Sequence, residues 1–188
     1  MSLPDPTIRL GRVLLGSRAN GPGLRDVFWV TGCSIGCPGC INPQFLDPRA
    51  GERVDAGAIQ SLISRRRDQV EGITFSGGEP TEQAEAVGLI ARHARQLGLS
   101  VVLFTGKTLE ACRRRADCAA LLDFCDLVVA GPYVAPLWQP GSPLLGSLNQ
   151  TLHFLTERYR PGDLQTIPNL EIRLGRSQVA VTGYRLRS

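Results

Sequence analysis

The sequence predicts an α/β fold built on a parallel sheet that forms an incomplete (β/α) barrel. Three observations lead there. Short apolar segments alternate with segments of helical periodicity, the pattern of parallel strands joined by right-handed helical crossovers. The chemically informative residues fall just after the strands, on the carboxyl edge where such sheets bind ligands. At 188 residues the chain is too short for eight strand–helix units.

The elements follow in order. Residues Ile8 to Leu15 and Asp26 to Val30 read as strands from their apolar and β-branched content. A loop holding three cysteines follows the second. Val54-Asp55 opens a helix, with Asp55 as its N-cap and Ile59, Leu62 and Ile63 on one face. Gly72 to Phe75 is a short strand ending at Ser76-Gly77-Gly78-Glu79-Pro80. A helix runs from about Thr81 to Leu97, with Ala84, Val87, Leu89, Ile90 and Ala94 as its buried stripe and Gly98 as its stop. Ser100 to Phe104 is the next strand, Thr108 caps a helix reaching about Leu122, and Leu127 to Ala130 is a buried strand. Residues 131–146 carry four prolines and no periodicity, as expected of a long ordered loop that acts as a lid. Leu170 to Leu174 and Gln178 to Thr182 predict a C-terminal β-hairpin turning at Gly175-Arg176-Ser177, within an extension over 165–183. The whole is expected to be one domain, 1–188, with its core over about 8–155.

Composition narrows the function classes. A hydrophobic content of 43% and a charged content of 20% describe a globular chain with material for one core. No run approaches the 18 or so apolar residues of a membrane span, and the first ten residues lack the apolar stretch of a secretory signal. A cytoplasmic location is therefore expected, where clustered cysteines bind metal more often than they form disulfides. The net charge is +4, and Lys107 is the only lysine. Arg65-Arg66-Arg67 and Arg113-Arg114-Arg115 read as solvated helix faces. Aromatic residues are not interleaved with these charges as base-stacking surfaces require, so nucleic-acid binding is not expected.

The sharpest motif is Thr31-Gly32-Cys33-Ser34-Ile35-Gly36-Cys37-Pro38-Gly39-Cys40-Ile41-Asn42-Pro43, a C-x3-C-x2-C spacing with no fourth cysteine nearby. A [4Fe-4S] cube normally takes four thiolates, so three would leave one iron open, the property that separates a reactive metal site from a structural one. The intervening glycines let the backbone bend around a small object and bring amides close to it. A structural zinc site and a Cys37–Cys40 redox pair are the competing readings. No histidine sits at ligand spacing, and neither competitor accounts for the Gly-Gly-Glu-Pro block.

Together these blocks resemble the radical S-adenosylmethionine (SAM) superfamily, and within it the small glycyl-radical activases of the ribonucleotide-reductase-activating type. The resemblance rests on Asn20 to Arg25, the cysteine run with Asn42-Pro43, Ser76 to Pro80, Phe104-Thr105-Gly106, Asp126 to Tyr133, and Gly146 to Gln150. It implies a radical SAM type of partial barrel with one [4Fe-4S] cluster on Cys33, Cys37 and Cys40. It further implies that SAM occupies the open iron and is cleaved to a 5′-deoxyadenosyl radical. Ser76, Gly77, Gly78 and Glu79 would hold the methionine end of SAM, Gly39 and Ile41 would meet its adenine, and Thr105 and Gly106 its ribose or carboxylate. The implied substrate is a glycine in a glycyl-radical enzyme such as anaerobic ribonucleotide reductase, or another protein or peptide. The implied electron donor is reduced flavodoxin or ferredoxin.

The chain departs from the family at three places. Gly39 stands where many members carry an aromatic, although the reductase activases share the glycine. Ala130-Gly131 stands where the reductase activases often read Asp-Gly. The C-terminal extension runs past the point where many of them end. The Ala130 change and the C-terminal hairpin motivate a second reading, an enzyme that modifies a peptide or small metabolite directly. A third is a noncatalytic cluster protein acting in electron transfer or docking. Cys112, Cys118 and Cys125 fit no cluster spacing and read as buried thiols. His93, mid-helix, and His153, in a helix-like segment, read as structural.

Overall fold

The computed structural model of the chain describes residues 6–139, 141–174 and 179–183. Its main sheet comprises β1 (Thr7–Ser17), β2 (Arg25–Val30), β3 (Glu52–Asp55), β4 (Gly72–Gly77), β5 (Ser100–Thr105), β6 (Leu127–Ala130) and β7 (Thr151–Phe154). The spatial order is β3-β1-β2-β4-β5-β6-β7. Strands β2, β4, β5 and β6 are parallel, and β1, β3 and β7 complete the sheet antiparallel to their neighbours. The fold is thus mixed α/β with a mostly parallel centre.

The first expected strand is antiparallel to the second because only residues 18–24 join them, too short for a parallel crossover. His153 lies in β7 rather than in a helical segment. Leu152 and Phe154 alternate along β7 and pack on one apolar cluster, the period-two pattern of a strand.

The helices are α1 (Ala56–Arg66), α2 (Ala84–Gln96), α3 (Leu109–Arg113) and α4 (Ala116–Leu122). Asp55 precedes α1 in an extended conformation, but its side chain makes no capping bond, since the residue also ends β3. The helix expected from Thr81 begins instead with a 3-10 turn, Pro80–Gln83, before α2. The buried stripe of α2 takes in Ala86 and Ala91, while Leu89 is only half-buried. The single helix expected over 108–122 is broken in two where Arg115 turns extended (φ −101°, ψ 123°). On a straight helix Cys112 and Cys118 would point about 120° apart, at 100° per residue. The break lets both bury fully.

Side chains on the two faces of the sheet meet different partners. Phe28, Ile73, Phe75, Val101, Leu103 and Val128 face the helices in the largest apolar cluster. Val27 and Trp29 pack with Phe45 on the other face. There Val102, Leu127 and Val129 are covered by Leu144, Leu164 and Ile167, with Leu164 on a 3-10 turn over Pro161–Thr166, rather than by an α-helix. A two-stranded ribbon, β8 (Leu170–Leu174) and β9 (Val179–Gly183), pairs antiparallel beside them. The expected turn at Gly175-Arg176-Ser177 lies outside the described residues.

Arg25 opens β2 and is fully buried. Its Nε donates to Thr74 Oγ1 (2.9 Å), Nη1 to the carbonyl of Pro22 (2.6 Å) and to Tyr159 Oη (3.1 Å), and Nη2 to the carbonyls of Ile73 (2.7 Å) and Ser100 (3.2 Å). A guanidinium has five N–H donors, and these bonds use them all. Burial holds its pKa below the ordinary arginine value, with Tyr159 opposing that shift. One side chain therefore ties β2 to β4, β5 and Tyr159 at the amino edge of the sheet. The arginine triplets are less uniform than a solvated face: Arg66 forks onto buried Asp26 at 2.6 and 3.0 Å, while Arg65 and Arg67 are exposed.

Candidate functional site

The cysteine loop leaves the carboxyl end of β2 from a braced stem. The amide of Thr31 donates to the carbonyl of Arg9 (3.1 Å), that of Gly32 to Phe45 (2.9 Å) and that of Cys33 to Leu46 (3.2 Å). Buried Phe45 fills the base of the loop so closely that a Cβ on Gly11 would come within 2.5 Å of its ring. Between these anchors Cys33, Cys37 and Cys40 are half-buried and free. The Cys40 amide closes a turn onto the Cys37 carbonyl at 3.1 Å. Gly36 (φ 63°) and Gly39 (φ 72°) occupy the left-handed region that residues with a Cβ avoid.

The Ser76–Pro80 block is bound to this stem. Gly78 N donates to Val30 O and Glu79 N to Gly32 O, both at 2.8 Å. A Cβ on Gly77 would lie 2.3 Å from Val30 O, and one on Gly78 2.3 Å from Gly32 O. Both glycines are thus required first by the packing of two strand ends, ahead of any ligand.

Glu79 is fully buried, and its carboxylate joins three segments. Oε1 accepts from Thr81 N (3.0 Å), Thr81 Oγ1 (2.7 Å) and Thr105 Oγ1 (2.8 Å), and Oε2 from Gly106 N (2.8 Å). Thr105 Oγ1 in turn accepts from Lys107 N at 3.1 Å. Thr105 and Gly106 are therefore engaged with Glu79 within the chain. No salt bridge to Glu79 occurs among the described residues. The result is a buried carboxylate held by neutral donors.

Four residues that sequence reasoning passed over complete the frame. Glu82 Oε1 accepts from both Ser34 N (2.8 Å) and Ser34 Oγ (2.5 Å), bracing the cysteine loop from outside. Gln83 bonds Arg9 N through Oε1 (2.7 Å) and Thr31 O through Nε2 (3.0 Å). Ile35 lies over Gly106, where an added Cβ would come within 2.6 Å of its Cδ1. Phe45 is the fourth. The signal available for Glu82 and Gln83 was their place one residue after Gly-Gly-Glu-Pro, but spacing does not show which way they turn.

All the predicted site residues meet around one open cavity of about 890 Å³. The three cysteines share it with Gly39, Ile41, the Ser76–Glu79 segment and Thr105–Gly106. Gly131, Tyr133 and Gln150 form its rim. That rim is stapled: Gln150 Nε2 donates to Gly131 O (2.8 Å), its Oε1 accepts from Gly146 N (2.8 Å), and Asn149 Nδ2 donates to Pro132 O (2.7 Å).

The donor set fits an iron–sulfur cube. Burial pushes the Cys33 thiol up, with the Ile35 and Gly36 amides opposing. A bound cation would reverse that balance by stabilising the thiolate. No three His, Cys, Asp or Glu side chains converge on a single-ion site among the described residues. A cube asks for separated sulfurs, one per iron. The remaining cysteines stand apart: Cys112, Cys118 and Cys125 are buried, and burial raises all three thiols. His93 bonds Ser64 Oγ and His153 bonds Thr151 Oγ1, both at 2.8 Å and both away from the cavity.

Exchanging Glu79 for glutamine checks the carboxylate joint. The amide NH2 must then face donors at one oxygen position or the other, which costs about 2 kcal/mol. At a few degrees per kcal/mol for a chain of this size, the melting temperature of the cluster-free protein should fall by about 4–8 °C. An unchanged melting curve would remove Glu79 as the joint between β4 and β5.

The profile of the 4Fe-4S single cluster domain matches residues 19–153. The chain belongs to this iron–sulfur family. Within it, the chain is 30% identical over 144 residues to the anaerobic ribonucleoside-triphosphate reductase-activating protein of Vibrio cholerae, covering 73% of this chain and 92% of that one. The protein of the same name from Salmonella typhimurium is 29% identical over 143 residues, covering 72% and 92%. The family member described here is thus a radical SAM protein of the glycyl-radical activase type. Among solved structures it is similar to QueE from Escherichia coli, at 14% identity and a TM-score of 0.44 over 54% of this chain and 53% of that one, a likeness too slight to argue from. The family match stops within β7, so β8 and β9 lie beyond it.

Proposed function

We propose that this chain is an activating enzyme that uses a [4Fe-4S] cluster and SAM to place a glycyl radical on a partner enzyme such as an anaerobic ribonucleotide reductase. The observation that carries the reading is the shared cavity: three free cysteines and a buried carboxylate with no cationic partner among the described residues, at the carboxyl ends of β2, β4 and β5. When bound, cluster and SAM supply one-electron cleavage of a carbon–sulfur bond and a 5′-deoxyadenosyl radical that removes a hydrogen atom.

The chain's own residues would do the following. Cys33, Cys37 and Cys40 each give one thiolate to one iron. The amides of Gly78 and Glu79 are donated within the chain, which leaves carbonyls of the Ser76–Gly78 segment to meet the ammonium of SAM's methionine part. The Glu79 carboxylate adds negative charge behind them, in a setting where charge-assisted bonds are strong. Gly39 leaves room for adenine, and Ile41 supplies apolar surface beside it. Thr105 and Gly106 act on SAM mainly by holding Glu79. The stapled 131–150 segment shapes the mouth through which a target loop reaches the site. The sheet and its helices serve as the incomplete barrel of such enzymes, in one domain over 1–188 with a C-terminal hairpin extension.

Reduced flavodoxin or ferredoxin would deliver the electron in the cytoplasm, a reading supported by six free cysteines. No helix among the described residues is long and apolar enough to cross a membrane. The test is electron paramagnetic resonance of a glycyl-radical partner after anaerobic incubation with the reduced, reconstituted protein and SAM. A glycyl doublet is the expected result; its absence with every candidate partner, while SAM is still cleaved, would sink the reading. Direct modification of a peptide or small metabolite is the second reading, favoured by the β9 residues that line the cavity. It predicts 5′-deoxyadenosine matched by a small product, with no protein radical.

A further inference from the structure

Residues beyond the family match both cover the sheet and border the site. Tyr159 stacks near Arg25, with the guanidinium carbon 6.0 Å from the ring centroid, and bonds it and Ser100. Leu164 and Ile167 bury Val102 and Val129. Val181, Thr182 and Gly183 of β9 face the same cavity as the three cysteines.

The ribbon is latched to β1 and to the loop leading into β2. Thr182 Oγ1 accepts from Asn20 Nδ2 (2.9 Å) and donates to Asn20 Oδ1 (3.3 Å). Arg12 lies 5.0 Å over the Trp29 ring and donates to the Val181 carbonyl (3.1 Å). Glu171 Oε2 accepts from Ser17 Oγ (2.7 Å) and Arg18 N (2.9 Å). Arg173 Nη1 donates to the carbonyls of Leu15 and Gly16. Asn20 thereby joins the ribbon to the sheet interior, because its own carbonyl accepts from Thr74 Oγ1, the group that also holds Arg25 (2.8 and 2.9 Å).

Polar latches of this kind fix position more than they add stability, since each exchanges water contacts for protein contacts. Their placement matters because, among the described residues, only β8 pairs with β9, and the Val181 carbonyl is held by Arg12, which leaves Val181–Gly183 set along the cavity. We infer that β9 is the substrate-side wall of the site and that Val181–Gly183 decide which extended peptide segment can lie beside the cluster cysteines. This inference rests on the activase reading for the identity of the peptide, a glycine-containing loop of the partner. It goes beyond it in assigning selection to a segment outside the family match. Thr182 is the specificity-determining position, being the residue that both faces the cavity and holds Asn20.

Two variants test the wall. Thr182→Trp fills the cavity from the ribbon side, and its glycyl radical formed per SAM cleaved should fall at least about tenfold, with a raised KM for the partner. Glu171→Ala, outside the cavity, unlatches the ribbon from Ser17 and Arg18. In a Trp138→Phe background, where Trp29 is the only tryptophan, it should raise acrylamide quenching of Trp29 several-fold in the protein alone. Trp29 is only 5% exposed with the ribbon in place. An unchanged radical-to-cleavage ratio in Thr182→Trp would overturn the inference. So would unchanged Trp29 quenching in Glu171→Ala. If the unaltered chain cleaves SAM yet radicalises no partner, the activase reading fails alone, and the quenching result still decides the wall.

Discussion

Alanine at Cys40 is expected to abolish SAM cleavage and leave the fold standing. Cys40 is half-buried in a loop whose stem is held by Gly32, Cys33 and Phe45, so removing its sulfur opens no cavity in either apolar cluster. Losing an outer-shell partner of a metal typically costs about 10–100-fold, and losing one of three direct ligands should cost at least about a thousandfold in 5′-deoxyadenosine formation. Iron per chain after anaerobic reconstitution should fall with it, while the melting temperature of the cluster-free protein should move little. Cys112→Ala is the contrast: that thiol is buried among the helices and away from the cavity. It should cost stability and spare cleavage. Cleavage retained by Cys40→Ala would contradict the ligand assignment.

The second large effect is on stability. Methionine in place of Arg25 removes five hydrogen bonds at once and leaves buried partners on β4, β5 and Tyr159 without donors. The orphaned groups cannot all reach water, so the loss should be about 4 kcal/mol or more, out of a net stability typically of about 5–15 kcal/mol. For a chain of this length that is a fall in melting temperature of about 8–16 °C, readable by calorimetry on the cluster-free protein. A fall of less than about 2 °C would mean that the amino edge of the sheet is held by something other than this guanidinium. The effect should be purely structural, since Arg25 lies at the edge opposite the cysteines.

The site was legible in the sequence because its chemistry depends on residue types that little else explains. Three cysteines around two glycines, and a Gly-Gly-Glu-Pro block after a strand, point to residues that the structure brings to one cavity. The parallel core was legible for a related reason: β4, β5 and β6 are short apolar runs separated by helices. The edges were harder to read. β3 is a four-residue strand of mostly polar residues, and it pairs with Thr7 to Leu10 along the edge of β1 that β2 leaves free. Strand β7 was obscured by a histidine and a polar start, although Leu152 and Phe154 carry its period. The break between α3 and α4 follows from the need to bury both Cys112 and Cys118, a demand that no local propensity expresses.

Glu79 shows the division most clearly. Its residue type and its neighbours predicted a polar contact at the cavity, but which donors it meets depends on where Thr105 and Gly106 arrive from the next strand. Gly77 and Gly78 were expected to make room for a ligand, and packing shows that they first make room for the carbonyls of Val30 and Gly32. The family, the candidate cysteine set and the strand–helix alternation could be read from the chain alone, because they reside in residue identity and in periods of two and 3.6. How the termini of β2, β4 and β5 lock together, and the position of β9 beside the cavity, emerge from the folded chain. Those outcomes turn on contacts between residues far apart in the chain, where hydrogen-bond geometry and close packing, rather than local preference, select the arrangement.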